Sequence, residues 1–401
     1  MAVVSPFTTY FFLSALYSII PYLLWARVAP DVWNIFLSLT SSTTLIGVHT
    51  FLVASCNVVF ALTYAFNFRK SESYIVNKCS NFKAVLNKNV LFAIYIGFCG
   101  FMVIMGFRFP YAHNSEMVHS MMSNAKTILA AIYVYYLVRY GFTKKTLLMF
   151  IGFAMLLVVE QSRWYFVSVM LATGVYLQNK NKFSNGFAIL LSVCMAGLLA
   201  YVGVKRNGGT TFGLFPLLVP FYAEGSFGSY MDLQTYDIIL HKNIFFLTGF
   251  FDYILDPILY IIPRVFYIFA GADKEVIGLY GEFIRVHQSM LAEPFAPFGG
   301  HYYVAQASSA LPILGPLIIT FLFAHLTIWF ERRKGLSFFW ELSYYLYVSG
   351  FMFVFIKTRF NQSVKYYLTI AIPAYLLYLI LIRRGSKKRP PALSIDVEKK
   401  C

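Results

Sequence analysis

The sequence predicts an all-α integral membrane protein that crosses the bilayer many times, and three observations carry that prediction. Hydrophobic residues make up 59% of the 401 residues and charged residues only 12%, about half the charged share of a soluble domain. The apolar residues fall in runs of roughly 16–24, the length needed to cross the hydrocarbon core. The runs are continuous and do not alternate with period two. That selects helices over a closed barrel, the other way of satisfying every backbone hydrogen bond in lipid.

Taken in order, the runs predict about ten spans, at 7–26, 45–67, 90–107, 126–142, 146–161, 163–178, 184–204, 311–330, 336–356 and 363–382. The first, FTTYFFLSALYSIIPYLLWA, has no basic stretch ahead of it and no small-residue cleavage site, so it reads as a retained span. With the N-terminus inside, the breaks NFRKSESYIVNKCSNFKAVLNKN, VRYGFTKK, NKNKF and ERRKG and the tail RRGSKKRPPALSIDVEKK fall on the inner side. These segments hold about 20 of the 33 Lys and Arg residues. The net charge of +16 is thus mainly a topology signal, and no nucleic-acid partner is expected. Cysteines agree: Cys56, Cys99 and Cys194 fall in predicted spans, Cys79 in an inner break and Cys401 in the tail. No disulfide framework is expected, and a terminal Cys401 does not form a prenylation box.

The outer side carries one long segment, 205–310. The chain therefore divides into N-terminal transmembrane helices (1–204), a large periplasmic loop (205–310), C-terminal transmembrane helices (311–382) and a basic cytoplasmic tail (383–401). Loops of this length inside a compact protein are usually functional. Within it, 244–270 is nearly apolar enough for a span. Asp252, Asp256, Pro257 and Pro263 predict instead helices that lie at the interface or dip into the membrane. A hairpin of two short crossings is the alternative. No internal repeat is visible.

Charges near the outer ends of the spans raise the functional question. VVEQSRWYFVS sets Glu160 and Arg163 where the bilayer should begin. An Arg in the apolar zone costs about 2.5–3.5 kcal/mol, so it needs a partner. Arg163 either snorkels or pairs with Glu160 along the helix, or it faces a polar cavity. Arg108, Arg206, Arg264, Arg285 and Arg359 stand near other outer ends or in the long segment, with Lys357 and Lys365 flanking Arg359. Several guanidinium groups at one membrane surface suit a pyrophosphate, whose oxygens each fork can grip in bidentate fashion. Each alone also suits a helix-end anchor.

The layout resembles the O-antigen polymerases, the Wzy-type enzymes that polymerise oligosaccharide repeat units: many spans, one large late outer loop, and two or three spans after it. Arg163 and Gly174 make an R-x10-G spacing. IIPRVF, followed by Lys274, is similar to the family's Pro-Arg…Lys stretch and contains Arg264. GHYYVAQASSALPILGPL is similar to the His-to-Gly stretch that leads into the next span, here His301 and Gly315. The pattern departs in having one R-x10-G and Pro312 where Gly is common.

The resemblance implies a glycosyltransferase in the bacterial inner membrane with its active site toward the periplasm. Its substrates would be undecaprenyl-pyrophosphate-linked oligosaccharides held among membrane lipid. A chain-length regulator and a flippase are the expected protein partners. Arg163, Arg264 and Arg359 are then the leading pyrophosphate-binding residues, with Arg285 and Arg206 behind them. His301 is the leading general base, with Glu224 and His287 in reserve. No cofactor and no metal are expected. Asp273-Lys-Glu275 reads as an exposed turn, and His113 and His119 lack a closed ligand set. Tyr222, Tyr230, Tyr302 and Tyr303 either stack on sugars or belong to the interfacial aromatic belt. The alternatives are an O-antigen ligase, or a flippase or other transporter, which would be expected to carry mid-span charges and two related halves. A cysteine introduced within 205–310 should react with an impermeant maleimide added to spheroplasts; reaction only after lysis would place the segment inside and end this topology.

Overall fold

The computed structural model describes residues 5–16, 18, 42–68, 87–108, 116–160, 163–180, 228–240, 302–357 and 360–385, with shorter pieces between 184 and 201. Among the described residues the regular structure is helical throughout, as the apolar runs predict. In chain order the helices are α1 (Pro6–Leu16), α2 (Thr43–Phe68), α3 (Lys88–Arg108), α4 (Glu116–Tyr140), α5 (Lys144–Glu160), α6 (Arg163–Asn179), α7 (228–240), α8 (Tyr303–Ala310), α9 (Leu314–Arg333), α10 (Phe338–Lys357) and α11 (Phe360–Gly385). A π-turn at Val348–Met352 interrupts α10.

Among the described residues, five stretches are long and apolar enough to cross a membrane: Thr43–Asn67, Lys88–Met105, Leu314–Arg333, Phe338–Lys357 and Gln362–Ile380. They coincide with five of the expected spans. The 17-residue helices α5 and α6 also lie where spans were expected. At about 1.5 Å per residue, however, they fall short of a hydrocarbon core about 30 Å thick. Lipid contact is written on the helix surfaces. Phe51, Val58, Leu62 and Phe66 of α2, Ile94, Phe101 and Ile104 of α3, and Ile372, Leu376, Leu379 and Ile380 of α11 are exposed at helical spacing. Soluble proteins rarely leave apolar stripes of this extent facing water. The helix α10 is different: 83% of it is buried, against 22% for the apolar stretches of α3 and α11. It is the axis of the bundle, with α4, α6, α9 and α11 packed around it.

Polar contacts sort the helix ends into two groups. Arg332 donates to the Asn67 carbonyl, Lys334 Nζ to Asn179 Oδ1 (3.3 Å), and Lys180 pairs with Glu341 (2.9 Å). The Arg139 guanidinium lies over the Phe338 ring, and Lys145 reaches Asn89. The C-terminal ends of α2, α4, α6 and α9 thus share one end of the bundle with the N-terminal ends of α3, α5 and α10. This is the basic end, built from the segments that the charge pattern places inside. Its tight α4–α5 corner uses Gly141 at φ 80°, whose N–H bonds to the Leu137 carbonyl (2.9 Å). A left-handed residue after the last turn closes a helix at no Cβ cost.

The stretch leading into α9 does more than enter a span. Every residue of α8 is buried, and the chain reverses through residues 311–313 into α9. Gly315 lies against Ala307, and one turn or so deeper the Tyr303 hydroxyl meets Thr320 Oγ1 (2.8 Å). These two contacts set α8 antiparallel to the start of α9, so that α8 dips back into the bundle. The hairpin requires glycine at 315, because a Cβ there would lie 2.2 Å from the Ala307 carbonyl oxygen. Gly315→Ala should therefore destabilise the protein by about 1–3 kcal/mol, the usual range for overpacking. Gly335→Ala, with nothing within 4 Å of the added methyl, should leave the thermal midpoint in detergent unchanged.

Candidate functional site

The short helix α8 carries Gln306, Ser308 and Ser309 into the core directly after Tyr302 and Tyr303, and all five are buried. Buried polar groups must find partners, and these partners come from distant elements. The Tyr303 hydroxyl lies between Tyr10 of α1 (3.1 Å) and Thr320 of α9 (2.8 Å), while its ring stacks on Phe355 of α10. The Tyr302 hydroxyl is 3.5 Å from Ser14 Oγ. Ser308 Oγ is 2.9 Å from the Tyr236 hydroxyl of α7. Gln306 Oε1 accepts the backbone N–H of Phe360, the first residue of α11 (2.9 Å). Ser309 bonds locally to the Gln306 carbonyl (2.8 Å).

One turn before Tyr236, Asp232 supplies the most consequential contact. Its Oδ2 lies 2.9 Å from His49 Nδ1 in α2, and both side chains are 0% exposed. Its other oxygen, Oδ1, is buried without a hydrogen-bond partner among the described residues. An ionised Asp232 carboxylate would only accept, and so would take its hydrogen from Nδ1. A carboxylate behind one ring nitrogen fixes the tautomer and orientation of the other. His49 lies six residues into α2, at the bundle end opposite the basic one.

Below this region the structure closes. Along α2 the order is His49, Cys56, Phe60, Tyr64; along α9 it is Thr320, Phe323, Thr327, Glu331. Phe60 stacks on Tyr10 (3.8 Å between centroids), and Phe323 on Phe355 (4.5 Å). Beneath those rings a second polar cluster begins: Tyr64 donates to Glu331, with Tyr344 near it, and Thr327 meets the Tyr347 hydroxyl (2.7 Å). An aromatic layer separates the two polar clusters.

Most residues singled out from the sequence, Arg206, Glu224, Arg264, Arg285, His287, His301 and Arg359, lie outside the described residues, as do Tyr222, Asp273 and Glu275. Arg163 is the first residue of α6, its side chain outside the described set. Two residues on, the Tyr165 ring is 5.3 Å from that of Tyr366 in α11, and Ser168 Oγ is 3.2 Å from the Tyr366 hydroxyl. The starts of α6 and α11 are therefore neighbours, at the same end as His49. Tyr230, Tyr302 and Tyr303, considered as sugar platforms, are instead core residues.

Sequence reasoning passed over His49 and Asp232, and also Lys126, buried with its ammonium over the Tyr165 ring. A histidine inside the apolar run GVHTFLV was the available signal, since ionisable groups in spans are rare and usually assigned a role. Nothing local marks Asp232 as its partner, 183 residues away. Among the described residues no group of three or more His, Cys, Asp or Glu side chains is arranged to hold a metal. No protein-family model, curated protein or solved structure matches the chain.

Removing one member of a buried pair costs about 3–5 kcal/mol, because the other is left desolvated and alone. His49→Leu and Asp232→Leu should each destabilise the protein by that order, seen as a lowered thermal midpoint, and the double variant should recover much of the loss. Strictly additive losses would show that the two side chains do not act as a unit.

Proposed function

We propose that this chain is a membrane glycosyltransferase of the O-antigen polymerase type. It would transfer a growing glycan from undecaprenyl pyrophosphate to the non-reducing end of an incoming lipid-linked repeat unit, at the periplasmic face of a bacterial inner membrane. The observation that carries the reading is the company kept by the buried His49–Asp232 pair. It sits at the end of the bundle opposite the basic segments, together with the starts of α6 and α11, which are the helices adjoining Arg163 and Arg359. The long segment 205–310 contributes α7, and with it Asp232, to that same end.

The chemistry asks for what this end supplies. A hydroxyl oxygen of the acceptor sugar bonds to the donor's anomeric carbon. The bond from that carbon to the pyrophosphate oxygen breaks, and the lipid pyrophosphate leaves with the electron pair. The hydroxyl proton passes to a base. His49, held beside Asp232, is one candidate; His301 and Glu224 are those favoured by the resemblance. Guanidinium groups of Arg163, Arg264 and Arg359, backed by Arg285 and Arg206, would stabilise charge on the leaving group without a metal. Confinement of both substrates to one membrane plane lowers the entropic part of the barrier. Among the described residues Phe60, Phe323 and Phe355 are in contact beneath the upper cluster, which favours an enzyme over a flippase.

Deletion of the gene in its native strain, followed by analysis of the surface polysaccharide, tests the reading. Loss of the polymerase should leave lipid A-core carrying a single repeat unit. Loss of a ligase would leave no attached glycan, and loss of a flippase would trap repeat units inside. Arg163→Ala, Arg359→Ala and His301→Ala should each reproduce the single-unit pattern while the protein still accumulates. Full-length chains in all three would remove these residues from the site.

A further inference from the structure

We propose that Arg333, held over Trp329 and Trp340 at the basic end of the bundle, is the headgroup anchor of a site for one anionic phospholipid. The turn between α9 and α10 builds this anchor. Leu336 N–H bonds back to the Arg333 carbonyl (3.0 Å), and the Ser337 hydroxyl caps α10 by accepting Trp340 N–H (3.3 Å). The reversal sets the Trp329 and Trp340 rings edge to face, 5.0 Å between centroids. The Arg333 guanidinium lies over both, 4.2 Å from the Trp329 ring and 5.3 Å from the Trp340 ring. Stacking of this kind uses the face of the guanidinium plane and leaves the N–H fork at its edge to bind.

That fork is open to a ligand. Among the described residues its one hydrogen bond is a long one from Nη1 to the Trp329 carbonyl (3.4 Å). The carboxylates nearest in sequence turn elsewhere, Glu331 to Tyr64 and Tyr344, and Glu341 to Lys180. An oriented guanidinium without a carboxylate matches a phosphate, which it can grip through two parallel N–H bonds. Two features make a lipid the source of that phosphate. Arg333 ends the apolar stretch Leu314–Arg333, where a long basic side chain reaches headgroup level. On one face of α9, Ile318, Leu322, Leu326 and Trp329 are exposed in a line that leads to Arg333. From Trp329 back to Ile318 the helix rises about 16 Å, about the depth of one leaflet in a hydrocarbon core roughly 30 Å thick. A phosphate at Arg333 would thus lay an acyl chain along that stripe. Arg332 and Lys334, on either side of Arg333, favour a headgroup with net negative charge.

The full-length protein in detergent would be titrated with phosphatidylglycerol, phosphatidylcholine and glycerol phosphate. Native mass spectrometry counts the bound ligand, and the thermal midpoint checks folding. The wild type should hold phosphatidylglycerol most tightly. Arg333→Gln should weaken that binding about tenfold or more, the effect of losing a charge-assisted bidentate contact. Arg333→Lys keeps the charge without the planar fork and should lose several-fold; it carries the test where Arg333→Gln does not fold. Lys144→Gln removes a charge at the same end from an exposed position and should leave the affinity unchanged. Equal affinity of the wild type for phosphatidylcholine, an equal loss in Lys144→Gln, or wild-type affinity in whichever Arg333 variant folds overturns the site. Glycerol phosphate bound as tightly as phosphatidylglycerol overturns the lipid as its occupant.

Discussion

A polar helix buried inside an apolar bundle draws partners for its donors and acceptors from within the protein, because lipid offers none. The helix α8 is in that position, and its needs organise one end of the molecule. Its tyrosines draw in α1 and α9, its Ser308 draws in α7, and its Gln306 holds the start of α11. The Gly315 contact with Ala307 is what lets α8 approach so closely. With the helix in place, α7 lies where Asp232 can reach His49. Position and chemistry are therefore coupled: the groups that fix the architecture of this end also bring an acid–base pair and a helix N-terminus to it.

The two ends of the bundle differ in kind. At the basic end, Lys and Arg side chains cross-link neighbouring helices through carbonyls, amides and Glu341. These partly exposed contacts contribute little each. At the opposite end the polar groups are buried, and the penalty for leaving any of them unpaired is large. The aromatic rings of Phe60, Phe323 and Phe355 lie between the ends. The central helix α10 passes this layer with a π-turn, where Gly350 lets the Tyr367 backbone come close. Such turns interrupt the regular hydrogen-bond ladder and recur near functional sites.

Much of the fold is legible along the chain. The continuous apolar runs announced helices, and among the described residues five reappear as helices long and apolar enough to cross a membrane. The break VRYGFTKK holds the α4–α5 corner, turned at Gly141, and the described Lys and Arg residues of the basic breaks meet at one end of the bundle. Gly315 was noticed in the sequence through its place in a His-to-Gly stretch; its physical reason, a carbonyl 2.2 Å from where a Cβ would stand, is tertiary. The shortness of α5 and α6 was also visible in the runs, whereas the burial of α8 was not. YVAQASSA has neither the length of a span nor the amphipathic period of a surface helix.

By itself, then, the sequence determined the helical membrane class, because hydrophobic length is a local property that the bilayer reads segment by segment. Tertiary structure alone decided which polar residues meet. His49 and Asp232 are 183 residues apart, Tyr10 and Tyr303 are 293 apart, and no local pattern encodes either pairing. They come together because desolvated polar groups in an apolar interior are stable only beside one another, and that constraint acts on the folded bundle as a whole.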